Sequence, residues 1–152
     1  MVSDVFEQLK AAHQGRRLEL LLKPIPAANG DRNMIRRVVL NLLGNSIKFS
    51  RVRAVARVEF GGWTEQDGTV FYVRDNGVGF PMEHKERLFE VFKRLHLSEE
   101  FEGTGIGLAT VKRIVQRHGG QVWAEGKVNE GATFYFSLPY REDGERCDGP
   151  QS

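Results

Sequence analysis

Between Asp31 and Lys48 the apolar residues fall at Met34, Ile35, Val38, Val39, Leu42, Leu43 and Ile47. That spacing predicts an amphipathic helix with a wide apolar stripe, and Asp31 can cap its start. A stripe of that width has to be buried against another layer, which constrains the fold more than any other segment does. Asn41, Asn45 and Lys48 recur on the same helix at intervals of four and three residues. They therefore line one side of it. A polar ridge running beside a buried stripe presents itself to something.

The remaining segments supply the other layer. Ser3 to His13 reads as a helix with Val5, Phe6, Leu9 and Ala12 on one side, Ser3 as its cap and Gly15 as its stop. Arg17 to Leu22 reads as a short strand, and Pro24 and Pro26 mark a loop. Ala54 to Phe60 alternates, with Ala54, Ala56, Val58 and Phe60 on one face. Thr69 to Arg74 is a second strand of this kind, and Asp67-Gly68 supports a hairpin between the two. Glu83 to Arg94 reads as one helix or two short ones, and Leu95 to Glu102 as a mobile loop. Thr104 to His118 is a helix with Leu108, Val111 and Val115 facing inward, ended by Gly119-Gly120. Gln121 to Glu125 and Ala132 to Leu138 complete the strands. The sum is an α+β fold, a two-layer sandwich of a mixed β-sheet with helices on one face. Residues 1–140 form one domain, and 141–152 have no pattern and read as a disordered tail.

Bulk properties exclude several classes. A chain of 152 residues with net charge +2 gives no reason to expect nucleic acid. The cluster Arg51, Arg53 and Arg57 and the cluster Lys112, Arg113 and Arg117 read as solvated faces, because no aromatic residues interleave with them. The single cysteine, Cys147, cannot form an internal disulfide, and a reducing, cytoplasmic setting fits. No apolar run approaches the roughly 18 residues of a membrane span, so no membrane contact is expected.

Four short segments carry chemistry. Asp75 ends a strand and is followed by Asn76, Gly77, Val78, Gly79 and Phe80. A buried carboxylate accepts strongly from an exocyclic amino group, and the glycines remove side chains where a base would approach. A simple turn after a strand is the alternative, although a turn has no use for the second glycine and the phenylalanine. Gly103, Thr104, Gly105, Ile106, Gly107 and Leu108 open a helix. Alternate glycines and a helix N-terminus together make an anion cradle, and a flexible hinge is the alternative. Asn45 carries a hard amide oxygen suited to Mg²⁺, which keeps waters and takes other ligands from phosphates. Lys48 can reach a phosphate as a point charge.

In this order, Asn41 to Lys48, Asp75 to Phe80, Phe89 to Arg94 and Gly103 to Leu108 resemble the N, G1, F and G2 boxes of sensor histidine kinases. The arrangement is similar to the Bergerat ATP-binding fold that these kinases share with DNA gyrase B, Hsp90 and MutL. The resemblance covers about Val5 to Leu138, and the stretches near Phe92 to His96 and Gly103 to Leu108 resemble phytochrome-type kinases. The ATPase members place a Glu where Asn41 stands, and Asn cannot accept a proton at neutral pH. The F-box-like segment also separates this chain from those ATPases and from anti-sigma-type serine kinases. The resemblance implies that ATP and Mg²⁺ are the cofactors. It gives Asp75 the adenine amino group, Asn45 the metal, and Asn41, Lys48 and Arg94 the phosphates. Phe89 and Phe92 would pack the base of a lid, unless they are simply core residues, and Gly103 to Leu108 would shape it. Thr133 would lie near adenine.

A kinase of this type also needs an acceptor histidine followed by an acidic residue. His13 precedes Gln14, His84 precedes Lys85, His96 opens the presumed lid, and His118 precedes Gly119. His13, His84 and His118 read as surface or capping residues. The acceptor is therefore expected on a separate histidine-bearing dimerisation domain, with a response regulator as the indirect partner. The isolated chain is expected to bind Mg–ATP as a monomer with little turnover. A nucleotide-dependent binding module without phosphotransfer is the alternative.

Overall fold

The computed structural model describes residues 1–28, 30–84 and 104–140. Helix α1 (Val2–Ala12) leads into β1 (Arg17–Leu22) and then the long helix α2 (Arg32–Phe49). The hairpin strands β2 (Val55–Glu65) and β3 (Gly68–Asp75) follow, then a short 3₁₀ turn at Met82–His84. Helix α3 (Thr104–Arg117) and strands β4 (Val122–Lys127) and β5 (Gly131–Pro139) complete the chain. The expected helix across 83–94, the loop 95–102 and the tail 141–152 lie outside the described residues, apart from the turn residues Glu83 and His84.

The five strands form one mixed sheet in the order β1-β2-β3-β5-β4. Strands β1 and β2 pair in parallel, which requires the crossover that α2 supplies. The other pairings are antiparallel. Residues Val5, Phe6, Val38, Leu42, Leu43 and Ile47 of the helices meet Ala56, Val58, Phe60, Val73, Phe134 and Phe136 of the sheet in one core. Phe71 stacks on Phe136 with ring centroids 5.1 Å apart. Helices cover this face of the sheet. The other face carries Trp63, Tyr72, Tyr135 and Trp123 in edge and face contact across four strands.

Local signals place these elements. Asp31 caps α2, its Oδ1 accepting from the Met34 N–H at 3.0 Å. Ser50 closes the other end, its hydroxyl donating to the Ser46 carbonyl at 2.6 Å. Helix α3 stops at Gly119, which takes φ +81°, and the Gly120 N–H returns to the Val115 carbonyl. His118 does more than cap. Its Nδ1–H meets the Ile114 carbonyl while Nε2 accepts from the Asp31 N–H at 3.0 Å, tying the end of α3 to the start of α2.

Three expectations need correction. The cap of α1 is Met1 rather than Ser3, and no side chain bonds there. Ala12 is exposed. Strand β2 runs five residues beyond Phe60, because Gly61 and Gly62 do not break it. A Cβ on Gly61 would meet the Tyr72 ring, so glycine there lets an aromatic side chain lie across the strand.

Candidate functional site

Asp75 is the last residue of β3 and points to the helix-covered side, in register with Ala132 of β5. It is 5% exposed. Its Oδ1 accepts from the Gly77 N–H at 2.8 Å, while Oδ2 is buried with no hydrogen-bond partner. Burial raises the carboxyl to about 6. The Gly77 N–H, the Ser46 hydroxyl and the Ala132 N–H oppose that rise.

The loop after Asp75 is tied down from several sides. Arg53 donates to the carbonyls of Asn76 at 2.7 Å, Gly77 at 3.2 Å and Asn129 at 2.6 Å. The Asn76 side chain accepts from the Arg57 N–H and donates to the Val55 carbonyl, each at 3.0 Å. Val78 N–H reaches the Phe49 carbonyl at the end of α2. These bonds explain the glycines better than an approaching base does. A Cβ on Gly77 would meet the Phe49 carbonyl, and one on Gly79, at φ +69°, would collide with the Lys127 carbonyl. Phe80 is buried against Phe134.

Helix α2 brings its polar ridge to the same place. Asn45 is 6% exposed and its Nδ2 has no partner. Ser46, fully buried, also has an unpartnered hydroxyl. Asn41 and Lys48 are half-buried on that helix. Among the described residues four buried side-chain atoms lack a partner: these two, Asp75 Oδ2 and Arg16 Nη2. Ordinary folded chains satisfy nearly all such groups. The Ser46 hydroxyl acts on the Asp75 carboxyl and Asn45 precedes Ser46 on α2, so three of the four lie on or next to the pair Ser46 and Asp75.

The structure does not bring every expected residue to Asp75. Thr133 pairs with Arg74, its hydroxyl accepting from Arg74 Nε at 3.3 Å. Alternation puts that pair on the opposite face of the sheet, and Ala132 holds the position beside the carboxylate. Thr104, Gly105, Ile106 and Gly107 form the first turn of α3, and Leu108 is buried in the core. Phe89, Phe92, Arg94, His96 and Gly103 lie outside the described residues. Ser46, Arg53 and Ala132 were not singled out from sequence. An apolar cavity of about 320 Å³ sits at the far end of the sandwich, lined by Val2, Ile35, Phe60 and Leu138, and holds none of the candidate residues.

Residues 30–142 match the family described as histidine kinase-, DNA gyrase B- and HSP90-like ATPase. The chain belongs to this ATPase family. It is 37% identical over 139 residues to the phytochrome-like protein Cph1 of Synechocystis, covering 91% of this chain and 18% of that relative. The ATPase-family domain thus spans less than a fifth of that relative's length. The mycobacterial sensor histidine kinase MprB has a similar solved structure, at TM-score 0.76 and 26% identity, covering 91% of this chain and 92% of that one. Full-length ShkA, solved in complex with AMPPNP, is similar at TM-score 0.73 and 29% identity, over 91% of this chain and 29% of that one. The α+β sandwich expected from sequence is the fold this chain shares with that histidine kinase structure. No helix among the described residues is long and apolar enough to cross a membrane.

Proposed function

We propose that this chain binds ATP with Mg²⁺ and supplies the γ-phosphoryl group to a histidine on a separate dimerisation domain. A response regulator would be the next recipient. The observation that carries this reading is the buried, half-satisfied Asp75 carboxylate with the Ser46 hydroxyl acting on it, and the buried Asn45 side chain, its Nδ2 without a partner, one residue before Ser46 on α2. These atoms fit an adenine nucleotide. Asp75 Oδ2 is an acceptor for an amino group. Asn45 offers Nδ2 donors to a phosphate oxygen and Oδ1 as a hard ligand. Mg²⁺, when bound, would neutralise phosphate charge.

The chain's own residues then do three things. Asp75 selects and holds the base. Lys48 and Arg94 would bring positive charge to the phosphates. Asn41, one turn before Asn45, cannot act as a base toward water, so hydrolysis should be slow and transfer should wait for an acceptor. Catalysis of this kind is mostly positioning and charge stabilisation.

The test mixes the chain with γ-labelled Mg–ATP and histidine-bearing dimerisation domains. Acid-labile, base-stable label on a partner is the expected result. Nucleotide binding with no label on any partner would leave only a nucleotide-dependent binding module.

A further inference from the structure

We propose that the open face of the sheet, opposite the helices and the Asp75 site, is a docking surface for an arginine-bearing segment of a partner protein. Three aromatic residues of this face share one cross-strand row. Tyr72 of β3 pairs with Tyr135 of β5, and Tyr135 with Trp123 of β4. Trp63 of β2 lies beside the row, its ring centroid 6.2 Å from that of Tyr72 and 6.4 Å from that of Tyr135. Trp123 stacks on Tyr135 at 5.2 Å and 8°. The solvent face of such a sheet is ordinarily polar, yet Trp63 is 41% and Trp123 36% exposed. Clustered, exposed Trp and Tyr are the side chains that carry binding energy at protein interfaces.

Charge decides what covers them. Three bases of this face are already paired: Arg57 with Glu19 at 3.4 Å, Arg74 with Glu59 at 3.8 Å and Lys127 with Glu130 at 3.1 Å. Arg17 stands opposite Val55 at the start of β2, whereas Glu65 ends that strand. Glu65, Asp67 and Glu125 have no basic partner among the described residues. Glu65 accepts from Trp63 Nε1–H at 3.0 Å and Glu125 from the Tyr135 hydroxyl at 2.8 Å, so the surplus carboxylates stand at the edges of the rings themselves. Bases of single-stranded nucleic acid stack on rings of this kind, but these carboxylates repel phosphate. Rings flanked by carboxylates attract a cation instead.

The chain already holds one guanidinium in this way. Arg74 lies over the Tyr72 ring, 5.3 Å from its centroid, while meeting Glu59. A cavity of about 270 Å³ offers the same two kinds of contact to a guanidinium from outside. It is lined by Gly68, Val70 and Ser137 of the central strands, by Trp123 of the edge strand, and by Glu65 and Asp67 of the hairpin. Arginine suits it better than lysine, because a planar guanidinium stacks on a ring and forks toward carboxylates.

Trp63 and Trp123 are the chain's two tryptophans, so intrinsic fluorescence reads this face. The probe is a peptide of alternating arginine and glycine titrated into the full chain, beside the matching lysine peptide. The arginine peptide should give a saturable change that salt weakens, at an affinity about three- to tenfold above that of the lysine peptide. Glu65→Gln combined with Asp67→Asn, both on the exposed hairpin, should weaken the arginine peptide about three- to tenfold. No saturable change at millimolar peptide, a lysine peptide bound as tightly, or full affinity in the double variant would overturn the proposal. Tighter binding of a single-stranded oligonucleotide, or self-association of the chain alone that shields both tryptophans, would overturn it too, by giving the face to nucleic acid or to a second copy.

Discussion

Asp75→Asn is expected to make the nucleotide-free chain more stable while abolishing its hold on ADP. Burial raises the folded-state carboxyl from 3.8 to about 6. The folded chain therefore holds this proton more tightly than the unfolded chain does. The stability this group contributes is fully present below its unfolded value and is lost as the pH rises through about 6, because burial penalises the ionised form. About two pH units at ~1.4 kcal/mol each make roughly 3 kcal/mol of destabilisation once the group is ionised. An Asn side chain carries no charge to desolvate, and its Oδ1 can still accept from the Gly77 N–H. Urea unfolding without nucleotide at about pH 8 should then find Asp75→Asn more stable by about 1–3 kcal/mol, with an unchanged m-value. At about pH 4 the difference should shrink, since the carboxyl is then protonated in the folded state. ADP titration of the same variant should show no saturable heat. A variant less stable than wild type at the higher pH, or a gap that does not shrink in acid, would refute the reasoning.

Arg53→Ala removes three charge-assisted bonds to the carbonyls of the loop after Asp75 and of Asn129. It should cost about 2–3 kcal/mol in urea unfolding and weaken ADP binding without touching the nucleotide; binding at wild-type strength would show that the loop holds itself. Gly79→Ala forces a side chain into the left-handed region and against the Lys127 carbonyl. It should lower stability by about 2 kcal/mol or more, measured by thermal unfolding, and a neutral change would mean the turn relaxes freely. Asn45→Ala removes a buried donor that has no partner in the nucleotide-free chain. Removing the orphaned donor and losing its buried packing oppose each other, so apo stability should change by less than about 1 kcal/mol, while the gain in ADP affinity on adding Mg²⁺ over EDTA should disappear; a retained gain would remove Asn45 from the metal.

Much of the scaffold was legible because its signals are local. The i, i+3, i+4 spacing from Met34 to Ile47 needs only the helix period to be read. Asp31 announces the start of α2, and the alternation from Ala132 to Leu138 announces β5. Asp75, Asn45 and Asn41 stood out by their residue types and order, and the structure buries the first two and leaves Asp75 Oδ2 and Asn45 Nδ2 without a partner. What was not legible depends on contacts across the chain. Arg53 sits in a basic run with Arg51 and Arg57 that reads as a wet face, yet it clamps residues 76, 77 and 129. The assignment of Thr133 to the base failed on pleat alone, because a one-residue offset on β5 exchanges Ala132 for Thr133. Gly77 and Gly79 stood out as room for an approaching base, and the structure gives them a different use. Their missing side chains make room for the protein's own carbonyls. Ser46 carried no signal, since a serine between two named residues of a helix is unremarkable until its hydroxyl is seen to be buried and to act on Asp75.

The distribution of satisfied and unsatisfied groups gives the site its logic. The backbone from Asn76 to Val78 is held by Arg53, Asn76, Phe49 and Asn129. A loop tied at that many points cannot swing to relieve Asp75 Oδ2, Ser46 Oγ or Asn45 Nδ2. Each orphaned buried group costs about 1–3 kcal/mol, so the nucleotide-free chain carries a local deficit that its own atoms cannot remove. A ligand that meets all three recovers it on binding, and one that meets only some leaves the remainder standing. Rigidity around unsatisfied groups thus converts a cost in folding into selectivity in binding. The same logic requires that loosening the clamp should erode discrimination between ADP and GDP along with affinity, whereas a clamp that served folding alone would leave the ratio between the two nucleotides untouched.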